Sequence, residues 1–338
     1  MKKVPVSFGH GCAVSDDMLC VAAFIDELDA EQEFTRMFVL NLAGTEPWNH
    51  HDIAGRTIVS VALRPQQQDV PRACYALSEY GYVRIMNSAG ITDEEVPARG
   101  ADQNRKEGRT YSSIAHIGDR AYVCGALNSV YRRDAQGWSS IASALEQQAV
   151  KQLQDVVAQI TADDTSNIAA LTKQMRATPN LESIAGISED HVYVCGGNGL
   201  IMHWNGAVWS QIKSPTRQHL HAIHCLSDTD VLMCGHNGTL LRGNRVSGFH
   251  RVALGRNDIH FWSVRSFLGE VYIGTSSGLY TVTGGKLEKI SFDLKGVPTD
   301  FTVQAIDSTE RVLWVVTDKF VLRLMDGVWQ LITHPDNV

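Results

Sequence analysis

The sequence predicts an all-β protein, a seven-bladed β-propeller with a helical hairpin inserted between blades three and four. Two observations support this prediction. Short apolar strands and glycine-rich turns recur about every forty residues along the 338-residue chain, and each copy contains enough apolar, β-branched segments for four strands. The repeat is interrupted once, by a segment whose apolar residues follow a helical period. Repeats of this length with four strands are typical of propeller blades.

The clearest copy of the repeat lies in the middle of the chain. Val192 to Cys195 is a short apolar strand, Gly196 to Gly199 is a glycine-rich turn that permits positive φ, and Leu200 to Trp204 is a second strand. Asn205-Gly206 is the strongest two-residue signal for a hairpin, and a third strand begins near Val208. Three antiparallel strands leave apolar surface uncovered, so the unit must stack on copies of itself.

Six further copies align with this unit. Cys195 and Gly199 match Cys234 and Gly238, 39 residues later, and in an earlier copy Asn128 replaces the glycine, since Asn also tolerates positive φ. One more strand lies upstream of the first hairpin, which makes four per unit. The alternative, two β-sandwiches in tandem, does not explain the equivalent Cys-Gly and Gly-Trp positions. The first hairpins begin at Met18, Ala73, Ala121, Val192, Val231, Val271 and Leu313.

The repeat assigns the whole chain, 1–338, to one propeller domain. We expect Lys3 to Phe8 to form an additional strand that closes the ring against blade seven. The blades are expected at about 9–53, 57–97, 110–142, 181–215, 219–254, 260–293 and 302–334.

One segment, residues 143–178, breaks the repeat and is predicted to be helical. A first helix is expected from Ala144 to Ile160, and a second is expected to begin at Thr165 or Ser166 after a polar break. The apolar residues of the first helix recur at helical spacing, at Leu145, Ala149, Leu153, Val156, Val157 and Ile160.

The insertion is expected to lie on one face of the propeller together with three loops. It follows the outermost strand of a blade, and that connection emerges on the same face as the turn between second and third strands. The loops at 26–33, 98–109 and 213–219 share this position. Insertions on one face of a repeat protein often form its binding surface, although the helices could instead only pack on the propeller or mediate self-association. The residues expected to contact a partner are Glu31, Glu33, Arg105, Lys106, Arg109, Gln152, Asp155, Lys173, Arg217 and His219.

Charge and composition restrict the class of protein. The net charge is −7, and the first 100 residues hold 14 acidic against 8 basic side chains. Such a surface disfavours nucleic acid and favours a basic partner. The apolar runs are too short to cross a membrane, and the N-terminus lacks the features of a signal peptide. Three of the seven cysteines occupy one repeat position, which favours buried thiols in a reducing cytoplasm over disulfides.

The sequence contains few candidates for chemistry. It has no His-Glu-x-x-His, Cys-x-x-Cys or phosphate-loop motif. His219 and His221 alternate onto one face of a predicted strand, and with His116 they could begin a zinc site, but such a site needs three or four ligands. We therefore interpret them as channel or rim histidines, and expect no metal, no cofactor and no catalytic residue. Trp138, Trp209 and Trp329 are expected to pack between blades.

The segment from Asp190 to Trp209 resembles a bacterial propeller repeat. Most of its residues follow the pattern D-x-V-x-x-V-G-x-x-G-x-I-x-x-x-D-G-x-x-W, and Cys195 stands in place of the usual valine. That repeat occurs in the broad group related to WD40, YVTN and BNR propellers, which includes photosystem II assembly factor-like proteins. Blades one, two and seven depart most from it, and the Ser-x-Asp-x-Gly-x-x-Trp boxes of sialidases are not found. The resemblance implies a propeller and carries over no catalytic residue.

These observations favour a non-enzymatic, cytoplasmic propeller that binds a protein partner, in an oligomeric state that the sequence leaves open. One specific hypothesis is a bacterial immunity protein that neutralises a secreted toxin or effector by binding it. Two alternatives remain. One is a hydrolase or lyase acting in the central channel with His116, His221 or His224, and the other is an assembly scaffold.

Overall fold

The computed structural model describes residues 3–29, 31–97, 110–161 and 180–338, in which seven four-stranded antiparallel sheets succeed one another along the chain. Blades one to three consist of β1 (Val6–Ser15), β2 (Met18–Ile25), β3 (Phe34–Asn41), β4 (Trp48–Ala54); β5 (Ile58–Arg64), β6 (Ala73–Ser78), β7 (Tyr82–Asn87), β8 (Gly90–Glu95); and β9 (Tyr111–Ile117), β10 (Arg120–Gly125), β11 (Val130–Asp134), β12 (Gly137–Ser140).

The remaining blades follow the helical insertion. They consist of β13 (Leu181–Ser188), β14 (His191–Gly196), β15 (Ile201–Trp204), β16 (Trp209–Gln211); β17 (Leu220–Cys225), β18 (Val231–Gly235), β19 (Thr239–Asn244), β20 (Gly248–Arg251); β21 (Ser263–Phe267), β22 (Glu270–Thr275), β23 (Gly278–Thr283), β24 (Lys286–Lys289); and β25 (Val303–Ser308), β26 (Val312–Thr317), β27 (Phe320–Met325), β28 (Val328–Thr333). The predicted seven-bladed propeller is therefore confirmed.

The apolar core is divided among the seven contacts between neighbouring blades. Each of seven buried clusters combines side chains from two adjacent blades, including the contact that joins blade seven to blade one. No sheet of the described chain buries its faces alone, because each blade covers its neighbour. The predicted role of the outer tryptophans is confirmed at Trp209, whose indole Nε1 donates to the carbonyl oxygen of Ile141 in the preceding blade.

The ring closes through contacts between strands that belong to different sheets. The Phe8 amide donates to the carbonyl oxygen of Asp318 at 2.8 Å, and Trp314 Nε1 donates to the carbonyl oxygen of Ser15 at 3.2 Å. The prediction of a separate strand over Lys3 to Phe8 is wrong in one respect. Residues from Val6 onward belong to β1 itself, because the strand continues through an irregularity between Phe8 and Gly11.

The repeated glycine after the second strand provides space. The backbone of Gly196 is extended, with φ 178, so the left-handed region is not what requires glycine there. A Cβ on this residue would lie 1.9 Å from the carbonyl oxygen of Asn180, which accepts a hydrogen bond from the Gly197 amide at 3.0 Å. Blades three and five make the same bond, from Ala126 to Thr110 and from His236 to His219.

Positive φ occurs later in the same turn. Gly199 has φ +70, and the equivalent Asn128 has φ +56, as expected for a residue that replaces glycine. The two-residue hairpin predicted at Asn205-Gly206 is wrong, since Trp204 pairs with Trp209 and four residues lie between them. Asn205 lengthens the turn because its side-chain oxygen accepts hydrogen bonds from two backbone amides, those of Ala207 and Val208.

The first helix of the insertion, α1, spans Ser143–Thr161. Leu145 and Ala149 lie on its packed side, Leu145 against the contact between blades three and four and Ala149 only 1% exposed. The predicted second helix falls within 162–179, outside the described residues. None of the described helices has the length and apolarity needed to cross a membrane.

Candidate functional site

One end of the propeller carries the elements that the repeat does not need. The connections between successive blades and the turns between second and third strands emerge at this end, because the four strands of each sheet run antiparallel in order. We call this end the insertion face and define it by the β2–β3 loop, α1 and residues 213–219. Residues 98–109 connect blades two and three but lie outside the described chain.

The predicted partner-contacting residues divide into three groups. Glu31, Gln152, Asp155 and Arg217 are exposed, whereas Glu33 and His219 are half-buried. All six belong to elements of the insertion face. Their contact with a partner stays a prediction. Four others lie outside the described residues, namely Arg105, Lys106, Arg109 and Lys173.

The central channel opens on this face and is formed by the first strand of each blade. Its lining encloses a cavity of about 800 Å³. Small residues such as Gly11, Ser113 and Ala222 line much of the cavity. They leave the cavity open because they do not fill the space between the strands. Arg265 and Asp307 are among its charged side chains and pair with each other at 3.0 Å between Nη2 and Oδ1.

A histidine cluster lies where the channel meets the insertion face. The rings of His219 and His221 stack with their centroids 4.6 Å apart, and His236 lies 4.6 Å from His221. Glu182 on β13 approaches from the neighbouring blade, with its Oε1 3.1 Å from Nε2 of His219. Trp262 covers His221 with ring centroids 4.5 Å apart. We define the mouth cluster as Glu182, His219, His221, His236, His260 and Trp262.

Two imidazoles of the mouth cluster, those of His221 and His236, are held in the neutral form. Burial lowers the pKa of His221 to about 4, and the neighbouring His219 and His236 lower it further. Burial also lowers the pKa of His236, and His260 adds to that effect. A neutral imidazole has one nitrogen with a free lone pair, so these rings are available at neutral pH to accept a hydrogen bond or bind a metal ion.

The three histidines considered for channel catalysis have different neighbours. His221 contacts Trp262 and His219, whereas the ring of His116 contacts Tyr75 at 6.1 Å. His224 lies three residues beyond His221 on β17, about 10 Å further along the strand. Burial lowers the pKa of His116 to about 4 and of His224 to about 3. Within the described residues, no ring contact joins His116 or His224 to His221.

Sequence reasoning identified only part of the mouth cluster. It found His219 and His221 but missed Glu182, His236 and His260. The repeat contained the signal for His236. His236 directly follows Gly235, the repeated glycine of its blade. The residue at this position donates its backbone amide to the residue before the first strand, so the His236 amide lies 2.9 Å from the His219 carbonyl oxygen.

Comparison with known proteins gives one similar curated protein. No protein-family model matches the chain. The curated protein is Immune protein Tsi7 from Pseudomonas aeruginosa, which is 28% identical over 343 residues, an alignment that covers 97% of this chain and 98% of that protein.

Solved structures at lower identity share the fold. YCF48 bound to D1 peptide has a TM-score of 0.60 at 11% identity and covers 98% of this chain and 94% of its own. The WD40 repeats of RRP9 have a TM-score of 0.63 at 10% identity, with coverage of 94% and 90%. The chain therefore has the β-propeller fold of these structures and is similar over nearly its whole length to an immune protein.

Proposed function

We propose that this chain is a non-enzymatic immunity protein that neutralises a protein toxin by binding it. The observation that carries the proposal is the similarity to Immune protein Tsi7, which extends over 97% of this chain and 98% of that protein. An alignment of this extent spans the seven blades. A rigid propeller suits this role because its loops are presented on a fixed scaffold.

The toxin is proposed to bind the insertion face. The outer side of α1 is polar and exposed at Gln148, Lys151, Gln152 and Asp155, so the helix offers hydrogen-bonding groups beyond the side that packs on the propeller. The β2–β3 loop of blade one, at the same end of the propeller, presents exposed carboxylates. A polar, charged surface of this kind fits a non-obligate complex between two proteins that fold separately.

The β2–β3 loop favours a basic patch on the toxin. Asp26 is already paired with Lys319 and accepts a hydrogen bond from Ser7 at 2.7 Å. Asp29 and Glu31 are exposed, and they remain available to steer a basic partner towards the face. We propose that the pairing takes place in the cytoplasm, a location supported by seven cysteines that are all free, as expected in a reducing compartment.

The first test is affinity capture from the host with the purified chain as bait. Wild type is expected to retain one stoichiometric protein, identified by mass spectrometry. Expression of that protein alone in a heterologous bacterium should stop growth, and co-expression of this chain should restore it. A captured protein that is harmless when expressed alone would contradict the immunity proposal.

A charge-reversal pair tests the face. The double variant Asp29→Lys, Glu31→Lys is expected to slow association with the captured toxin at low salt and to lose protection. The matched control is Glu46→Lys, Asp228→Lys, which makes the same charge change at exposed positions on the opposite end of the propeller. Equal loss in both variants would indicate a general charge effect and would remove the insertion face as the binding surface.

A further inference from the structure

We propose that Glu182, His219 and His221 bind a single Zn²⁺ ion at the mouth of the channel. One potential ligand atom from each of the three residues lies within 4.8 Å of the other two. The inference concerns the mouth cluster alone and does not depend on the identity of any protein partner.

The spacing of these ligand atoms is close to that of a bound ion. Zinc binds imidazole nitrogen at about 2.0–2.1 Å and carboxylate oxygen at a similar distance, so neighbouring ligands of a tetrahedral ion lie about 3.4 Å apart. The Nε2 atom of His219 and the Oε1 atom of Glu182 are already 3.1 Å apart. The remaining separations need only small side-chain rotations, which the half-buried positions allow.

Both imidazoles have an unused nitrogen directed into the protein. The Nε2 atoms of His219 and His221 are buried and make no hydrogen bond to any described residue. The contact between His219 and Glu182 is close but lacks the alignment of a hydrogen bond. Buried polar atoms without partners cost free energy, and coordination of one ion would satisfy both nitrogens and the carboxylate together.

The backbone holds the three ligands on neighbouring strands. Glu182 belongs to β13, and His221 belongs to β17, the adjoining first strand in the ring. His219 immediately precedes β17, and its carbonyl oxygen is fixed by the bond from the His236 amide at 2.9 Å. Since ligands on strands are placed more rigidly than ligands on loops, little chain ordering is needed when the ion binds.

The ligand set favours a transition metal. Two imidazoles with one carboxylate suit zinc and its neighbours, whereas Ca²⁺ and Mg²⁺ require oxygen ligands. Three protein ligands leave a fourth position open. We expect water to occupy this position. The ring of His236 lies next to that of His219, with their centroids 5.4 Å apart.

The experiment uses the full chain without a histidine tag, stripped of metal with a chelator and titrated with ZnCl₂ by calorimetry. Wild type is expected to bind one Zn²⁺ per chain and to melt at a higher temperature with Zn²⁺ than with chelator. Co²⁺ in place of Zn²⁺ is expected to give the intense visible absorption of a four-coordinate site. Absence of saturable one-to-one binding by wild type would overturn the proposal.

Two variants identify the ligands. The double variant His219→Ala, His221→Ala should abolish one-to-one binding, and Glu182→Gln should weaken it because an amide is a poorer zinc ligand than a carboxylate. The matched control is His250→Ala on the outer strand of the same blade, where the histidine is exposed, and it should bind as wild type does. Each variant is also melted with chelator, where a curve matching metal-free wild type shows that it has folded. A folded double variant that binds Zn²⁺ as tightly as wild type refutes the site.

Discussion

Replacement of Gly196 by alanine tests the reason given for the repeated glycine. The new Cβ would lie 1.9 Å from the carbonyl oxygen and 2.9 Å from the carbonyl carbon of Asn180, and 3.0 Å from the Cα of Leu181. All three are backbone atoms, so no side-chain rotation relieves the clash. The start of β13 must move away by roughly 1 Å, which breaks the hydrogen bond from Gly197 to Asn180.

The expected cost follows from these contacts. Overpacking of a tight site costs about 1–3 kcal/mol, and loss of the hydrogen bond adds about 1 kcal/mol. Alanine also restricts the unfolded chain, which offsets about 0.4–1 kcal/mol. With each term taken near the middle of its range, the net loss is about 2–3 kcal/mol. With an unfolding entropy of about 2.1 cal/mol/K per residue over 338 residues, the melting temperature should fall by about 3–4 °C.

Thermal melting followed by circular dichroism provides the assay, with Gly44→Ala as the control. Gly44 lies in the exposed turn between β3 and β4, and a Cβ there would meet no atom closer than 3.4 Å. The control should melt within about 1 °C of wild type, because only the unfolded-state term applies. If Gly196→Ala melts with the control and wild type, the close approach to Asn180 does not explain the glycine.

Three other predictions concern charge, pH and thiols. Glu94 accepts hydrogen bonds from Arg133 at 2.6 Å and from Trp138 across the contact between blades two and three, and the Arg133 guanidinium holds the pKa of this carboxyl below its usual range. Its stabilising effect is therefore present above the unfolded pKa and lost as pH falls through the folded one. Glu94→Gln should lower the free energy of unfolding by about 1–2 kcal/mol at neutral pH. Urea unfolding should show this difference between variant and wild type disappearing below about pH 4, and a difference that stays constant with pH would refute the ion pair. Burial lowers the pKa of His203 to about 4, so the unfolded chain takes up a proton near pH 6.5 that the folded chain does not, and stability falls as pH drops from about 6.5 towards 4. His203→Asn should reduce that slope by up to about 1.4 kcal/mol per pH unit, and unchanged urea midpoints across this pH range would count against the prediction. Burial raises the pKa of the thiols at the repeated position, so iodoacetamide should label them in the unfolded chain and scarcely at all in the folded one, as read by mass spectrometry; equal labelling rates would show that the blade contacts open readily. These thiols are Cys124, Cys195 and Cys234.

The periodicity of the sequence predicts much of the fold. The recurring strands and turns fixed the number of blades and the order of the strands, because each strand pairs with its neighbour in sequence. The apolar stripe in α1 likewise gave a helix within one residue of its observed start at Ser143. Such local patterns predict the folded structure well because they indicate which side of each helix or strand is buried.

The candidate site was less predictable, because it combines residues from three blades. Glu182 lies 37 positions before His219 in sequence, and His260 follows 41 positions after it, yet the ring places their strands side by side. A single charged residue at the start of a strand, such as Glu182, does not indicate which side chain of the next blade it will contact. His116 and His221 both belong to first strands, yet His116 pairs with Ala121 near the end of β9 and contacts Tyr75, whereas His221 stands at the start of β17 and contacts Trp262.

The sequence by itself therefore determined the propeller, the place of the insertion and the buried thiols. These depend on hydrophobic period and turn chemistry, which act over a few residues. Only the tertiary structure decided which side chains meet at the channel mouth and why glycine follows each second strand. Gly196 illustrates the difference: its conformation is open to any residue, and what excludes a side chain is the carbonyl oxygen of Asn180, an atom that closure of the blade brings there.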